Sequence, residues 1–229
     1  LHAAGVPVPR PWGATPEGIL VIEAIPGPTL RHHLRTRDPA PSGDQLLGLL
    51  DRFPAEVMDL PVRRAWADEA THYASIIGSS LPAEQSRTGD LAEVIVTWLA
   101  GLAPDAPTHG DFHDDQVVMA GSSIRGLLDV DTVGPGRRAD DLATMLGHLE
   151  ASALLGAPHP QRLRGLVRGW QAAAESVVDA RELRLRVAGV LMSLATGPFR
   201  TQQQGWQHAT TLHVDAVERW VERAQLLGP

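Results

Sequence analysis

Thr108-His109-Gly110-Asp111-Phe112-His113-Asp114-Asp115-Gln116 and, shortly after, Gly126-Leu127-Leu128-Asp129-Val130-Asp131 decide how this chain is read. The first stretch is polar and contains a glycine, so Thr108–Asp115 reads as loop. It isolates one aspartate, Asp111, and places a side-chain amide, Gln116, five positions later. The second stretch is a short apolar run ending in another aspartate, Asp129. Between them, Gln116–Met119 and Ile124–Leu128 flank Ala120-Gly121-Ser122-Ser123, the pattern of a hairpin. This order suits phosphoryl transfer: one carboxylate orients an attacking hydroxyl, while an amide oxygen and a second carboxylate hold magnesium. Magnesium prefers oxygen ligands and takes only one or two carboxylates beside substrate phosphates.

Outward from this centre the chain is mostly helical. Downstream, Asp129–Arg138 reads as a loop, with Gly134-Pro135-Gly136 as a turn. From Ala139 on the pattern is helical, with Leu142, Met145, Leu146 and Leu149 on one face and further helices over 160–178, 181–195 and 201–226. Upstream, 91–102 and 65–77 look helical; Leu91, Val94, Ile95, Trp98, Leu99 and Leu102 repeat at helical spacing. A helix started by Ser42 or Asp44 carries Leu46, Leu47, Leu49 and Leu50 and should end near Pro54. Residues 37–43 read as loop, and Thr29 is placed to cap a short helix through Arg35. Gly18–Ala24, rich in β-branched residues and bounded by Pro16 and Pro26-Gly27-Pro28, reads as a buried strand.

Composition narrows the classes. All 20 basic residues are arginine; there is no lysine and no asparagine. An ATP-dependent kinase normally places a lysine on the phosphates, and this sequence has none to place. The net charge of -7 gives no basic footprint for nucleic acid. The absence of cysteine excludes disulfides and thiolate metal sites and agrees with a cytoplasmic protein. No apolar run reaches the length of a membrane span, and no secretory signal opens the chain. The first residue is Leu1, not methionine.

His109-Gly110-Asp111 with an amide five positions after the aspartate, an apolar strand ending Leu127-Leu128-Asp129, and Ala139-Asp140-Asp141-Leu142-Ala143 opening a helix resemble the aminoglycoside phosphotransferase and choline kinase-like family. The opening Leu1–Pro9 resembles the end of the N-lobe helix and the strand after it, and Ile22–Gly27 resembles the hinge between lobes. The resemblance implies an α+β, protein-kinase-like fold: residues 1–25 as a remnant of the N-lobe sheet and hinge, 26–229 as a helical C-lobe. It implies an ATP- or GTP-dependent phosphotransferase acting on a small-molecule hydroxyl, such as an aminoglycoside, amino alcohol or sugar. By motif match, Asp111 is the catalytic base, and Asp129 and Gln116 are the magnesium ligands. Gln116 departs from the family's asparagine, keeping the amide oxygen but adding a methylene. His109 braces the loop, Asp141 organises it from a helix start, and backbone groups at Glu23 and Ile25 take the adenine. The Gly-rich hairpin and its lysine are missing, which reads as an N-terminally incomplete kinase, inactive alone. A sheet edge exposing Val6, Val8, Ile19, Val21 and Ile25 would then invite self-association, leaving residues 88–226 as the stable unit.

Other readings compete. A kinase-like binding module without catalysis accommodates the missing lysine. A metallohydrolase using His109, Asp111 and His113 accommodates the clustered ligands. His113, Asp114 and Asp115 read as a solvated loop face, with attraction of a cationic substrate as the alternative for the two acids. Asp131 either supports the metal site or makes a turn. His32, His33, His208 and His213 have no ligand spacing and read as surface or packing residues; Trp206 and Trp220 read as packing residues.

Overall fold

The computed structural model describes residues 1–227. A ribbon of β1 (Pro11–Ala14) and β2 (Leu20–Ile22) leads into α1 (Leu30–Thr36), α2 (Gly43–Leu50), α3 (Ala70–Ser80) and α4 (Gln85–Leu99). Then come β3 (Ala106–Thr108), β4 (Val117–Ala120), β5 (Ser123–Leu127) and β6 (Gly134–Gly136). The chain ends in α5 (Arg138–Leu154), α6 (Pro160–Glu175), α7 (Ala180–Ala195), the single turn α8 (Gly197–Arg200) and α9 (Trp206–Gln225). Three antiparallel pairs form, β1 with β2, β3 with β6 and β4 with β5.

The helical body is built around α7. Its stretch Val187-Ala188-Gly189-Val190-Leu191-Met192 is buried on every side, the mark of a central rather than a surface helix. It packs on α5, α9, α3 and α4. Leu142, Leu146 and Leu149 of α5 and Val217 and Trp220 of α9 join it in one core, each such side chain contributing roughly 1.5–3 kcal/mol on burial. Gly189 has a specific task. A Cβ there would stand 2.5 Å from Ala67 Cα, so only glycine lets the short 3₁₀ turn Trp66–Glu69 lie against α7.

Ser42 caps α2 through a reciprocal capping box with Gln45. The expected helix over 65–77 is a 3₁₀ turn followed by α3, and the one expected over 91–102 begins earlier, at Gln85. Its first turns are polar, and apolar periodicity cannot see them. The expected helix over 201–226 starts at Trp206. Gly134-Pro135-Gly136, expected as a turn, instead pairs with Ala106-Pro107-Thr108. Both strands are short and Pro- or Gly-bearing, so neither shows a strand pattern.

The N-terminal segment divides into two environments. Trp12, Ile19, Leu20, Val21 and Ile22 are exposed, so the strand expected as buried is not buried. Val6 and Val8, expected to be exposed with it, are buried. The Pro7 carbonyl accepts the Leu127 N–H at 2.8 Å, which lays this stretch beside β5 and turns its valines into the core. Ile25 is half-buried. Among the described residues, no helix is long and apolar enough to cross a membrane.

Candidate active site

The loop after β3 is held from beneath by α5. Asp141, buried in the first turn of that helix, accepts the backbone N–H groups of His109 at 2.7 Å and Gly110 at 2.9 Å. Burial pushes its carboxyl up to about 6, and the two N–H donors pull against that rise. Both ring nitrogens of His109 are engaged, Nε2 with the Leu128 carbonyl at 2.8 Å and Nδ1 with the Asp111 N–H at 3.3 Å. Thr132 donates its hydroxyl to the His109 carbonyl at 2.7 Å. Gly110 turns the chain at φ +86°, where a Cβ would meet the Thr132 carbonyl oxygen at 2.6 Å. The loop is therefore fixed by α5 and by the segment after β5.

On this frame Asp111, Gln116 and Asp129 are linked in one chain of contacts through His113. Asp111 Oδ2 lies 3.6 Å from His113 Nε2, and Gln116 Nε2 lies 3.3 Å from the same nitrogen. Gln116 Nε2 donates to Asp129 Oδ2 at 3.1 Å. Asp129 sits in the left-handed region, at φ +56°, which an aspartate tolerates better than most residues and which ends β5 abruptly. An amide oxygen and a carboxylate are hard donors that suit magnesium; to share a cation, the Gln116 amide must present its oxygen where it now presents its nitrogen. Glu23 and Ile25 lie away from this group, beside a depression of about 420 Å³ shared with Val8 and Arg125. The Glu23 N–H donates to the Arg10 carbonyl at 2.9 Å, so that N–H is used within the chain.

Two residues that sequence reading passed over complete the centre. His148 of α5 stacks on His113, rings parallel within 5° and centroids 4.2 Å apart. Arg31 of α1 grips Asp114 through two 3.2 Å bonds and reaches Asp115 at 2.6 Å. Asp114, expected on a solvated face, is instead only 1% exposed, because Arg31 and His113 satisfy it. A signal for His148 was present: it lies seven residues after Asp141, on the same face of α5. Arg31 gave none, being 83 residues from its partner.

Electrostatics follow from this packing. Burial opposes protonation of His113, but Asp111 and Asp114 outweigh it and lift its pKa to about 9. Burial and then the charge on His113 drive His148 down to about 4. Burial pushes Asp111 up, yet His113 prevails and its net shift is downward. Asp114 is held at about 2, burial opposing and His113 and Arg31 prevailing. His113, raised in the fold, contributes stability below pH ~6.5 that is lost as pH climbs through about 9. His148, depressed, contributes stability above pH ~6.5 that is lost as pH falls toward about 4. The contributions of these two histidines are therefore both present near pH 6.5, and each is lost on its own side. Melting curves from pH 4.5 to 9 should show His148→Phe flattening the acid limb. An acid limb unchanged in that variant would exclude His148 as its source.

Asp111, His113 and His148 bring three ligand atoms within 4.8 Å of one another. Parallel stacked rings, however, point their in-plane lone pairs side by side. A metal ion lies in the plane of each imidazole that binds it, so these two rings cannot share an ion without one turning. His109, expected in the metallohydrolase set, is not one of these three, and both of its ring nitrogens face backbone groups.

Beside Gly110 opens a cavity of about 240 Å³, walled by the Trp66–Glu69 turn, β6 and α7. It lies next to the loop that carries Asp111.

The sequence profile of the phosphotransferase enzyme family matches residues 1–180. The chain belongs to this family. No curated protein matches its sequence. Among solved structures, it is similar to a choline/ethanolamine kinase family protein from Mesorhizobium loti, with 16% identity, 98% of this chain and 80% of that chain covered, and a TM-score of 0.62. It is similar to the type VIII aminoglycoside-3'-phosphotransferase, with 22% identity, coverage of 82% and 74%, and a TM-score of 0.51. A thermostable mutant of aminoglycoside phosphotransferase APH(4)-Ia, solved with AMP-PNP and hygromycin B, gives 13% identity, coverage of 94% and 77%, and a TM-score of 0.62. These likenesses establish the kinase-like α+β fold of this phosphotransferase.

Proposed function

We propose that this phosphotransferase moves the γ-phosphoryl group of ATP or GTP to the hydroxyl of a small molecule. The reading rests chiefly on the chain of contacts that runs from Asp111 through His113 and Gln116 to Asp129 on a kinase-like frame. The acceptor oxygen forms the new P–O bond, the bond to the β-phosphate oxygen breaks, and the hydroxyl proton passes to Asp111. Asp111 is suited to this because His113 keeps it ionised and His109 fixes its backbone. Asp129 and the Gln116 amide oxygen would hold magnesium, which supplies charge neutralisation on the phosphates. The Glu23 carbonyl and Ile25 N–H would receive the adenine, with residues 1–25 as N-lobe and hinge and 26–229 as C-lobe. Use of a nucleotide donor supports a cytoplasmic location.

One part of the chemistry is unsupplied. The β- and γ-phosphates call for a cation, and the sequence contains no lysine. We therefore expect slow turnover from these 229 residues and a large gain when a Gly-rich hairpin with a lysine is joined ahead of Leu1. The missing lysine also favours a second reading, a nucleotide-binding module without catalysis. Calorimetry and phosphate-transfer assays on both forms separate them. Magnesium-dependent nucleotide binding should weaken at least ~10-fold in Asp129→Ala, the loss of a charge-assisted contact. Binding without transfer by the extended form would favour the module, and no nucleotide binding by either form would end both readings.

A further inference from the structure

The cavity beside Gly110 has a charge pattern that bears on what it can accept. Its lining includes Arg63, Arg64 and Arg186 against Glu69 and Asp140. Both acids are already taken. Glu69 pairs with Arg64 at 2.6 Å. Asp140 pairs with Arg186 and also accepts the Arg137 N–H at 2.9 Å. Arg186 in turn is held by Glu182 at 2.8 Å. Arg63 differs: it is exposed, and its one identified bond is from Nη2 to the Asp131 carbonyl at 3.0 Å. A guanidinium carries five N–H donors, so most of its fork stays free at the mouth. Arg200 adds further positive charge nearby, countering the upward push that burial and Glu69 give the Tyr73 phenol.

Size and shape add a second constraint. At about 240 Å³ the cavity is smaller than the ~300–1,000 Å³ of most ligand sites. Trp66 and Tyr73 form one wall, their rings 6.5 Å apart. A polyamine entering here would bring ammonium groups to a lining whose carboxylates are spent, and an unpaired buried charge is costly. A planar carboxylate matches the free guanidinium fork.

Building on the phosphotransferase reading above, we propose that this cavity receives the acceptor and that the acceptor is a small hydroxy acid, its carboxylate clamped by Arg63. Its hydroxyl then faces the loop of Asp111, and the Asp140–Arg186–Glu182–Arg137 network, two carboxylates against two guanidiniums, keeps the cavity floor neutral toward it.

Binding is measured by calorimetry with D-glycerate, L-homoserine and gluconate as hydroxy acids, glycerol as a neutral polyol and kanamycin as a polycation. The same compounds are then offered for phosphate transfer from ATP or GTP with magnesium. At least one hydroxy acid should bind, and Arg63→Gln should weaken it about tenfold to a hundredfold, the range for a charge-assisted contact. Nucleotide affinity should not move. Arg63 is exposed, so the variant should fold. Failure of every hydroxy acid to bind, or affinity unchanged in Arg63→Gln, would overturn the proposal. Transfer to kanamycin or glycerol with no hydroxy acid bound would overturn it while leaving the phosphotransferase reading intact. Arg63-dependent binding of a hydroxy acid, with no transfer to anything even by the form carrying the Gly-rich hairpin and lysine, supports the ligand class and counts against the phosphotransferase reading.

Discussion

Asp111→Asn is expected to lower kcat by about 10²–10⁴-fold, the range for loss of a positioned general base, with little change in acceptor KM. Asparagine keeps the size of the side chain and a hydrogen-bonding oxygen but cannot take the proton. The loop should keep its shape, because His109, Gly110 and Thr132 are held by Asp141 and by one another rather than by the Asp111 carboxylate. Steady-state kinetics on the active form, with circular dichroism as a folding control, gives the readout. A kcat within a few-fold of the parent would remove Asp111 from the chemistry.

Asp141→Ala should be the most damaging single change to the architecture. It leaves two buried N–H donors, those of His109 and Gly110, without partners. At roughly 1–3 kcal/mol for each unsatisfied group, the loss is about 2–6 kcal/mol, enough to threaten a domain of ordinary stability. Asp141→Asn keeps one acceptor oxygen and relieves the burial that pushes the carboxyl up, so it should cost much less. Denaturant melts of the two variants would resolve this. Equal losses would show that charge, rather than the pair of N–H bonds, is what the loop requires.

The sensitivity of these two positions mirrors how much of the centre could be read in advance. Asp111, Gln116, Asp129 and Asp141 lie close together along the chain, separated by turns and a hairpin whose local chemistry is written in glycines and apolar runs. Their spacing was enough to pick out the loop, the hairpin and the capping helix. The kinase-like fold was expected from the family resemblance that these motifs carry, not from their spacing alone. Helix bounds were less legible. The first turns of α4 and the 3₁₀ turn before α3 are polar or irregular, and periodicity reports only buried faces.

The sequence by itself determined the local order: an isolated aspartate after a glycine turn, an amide and a carboxylate at the two ends of a hairpin, no lysine, and a helical body. Only the tertiary structure decided the surroundings. Asp114 became buried because Arg31, far away in sequence, arrived on α1 to neutralise it. His113 became cationic because Asp111 and Asp114 closed around it and outweighed its burial. Val6 and Val8 turned inward because Pro7 found a partner in Leu127, while the β1–β2 ribbon stayed exposed. The cavity beside Gly110 owes one wall to Gly189 admitting Ala67. Each of these depends on an encounter between segments distant along the chain, and burial, charge pairing and close approach are properties of such encounters, not of residue order.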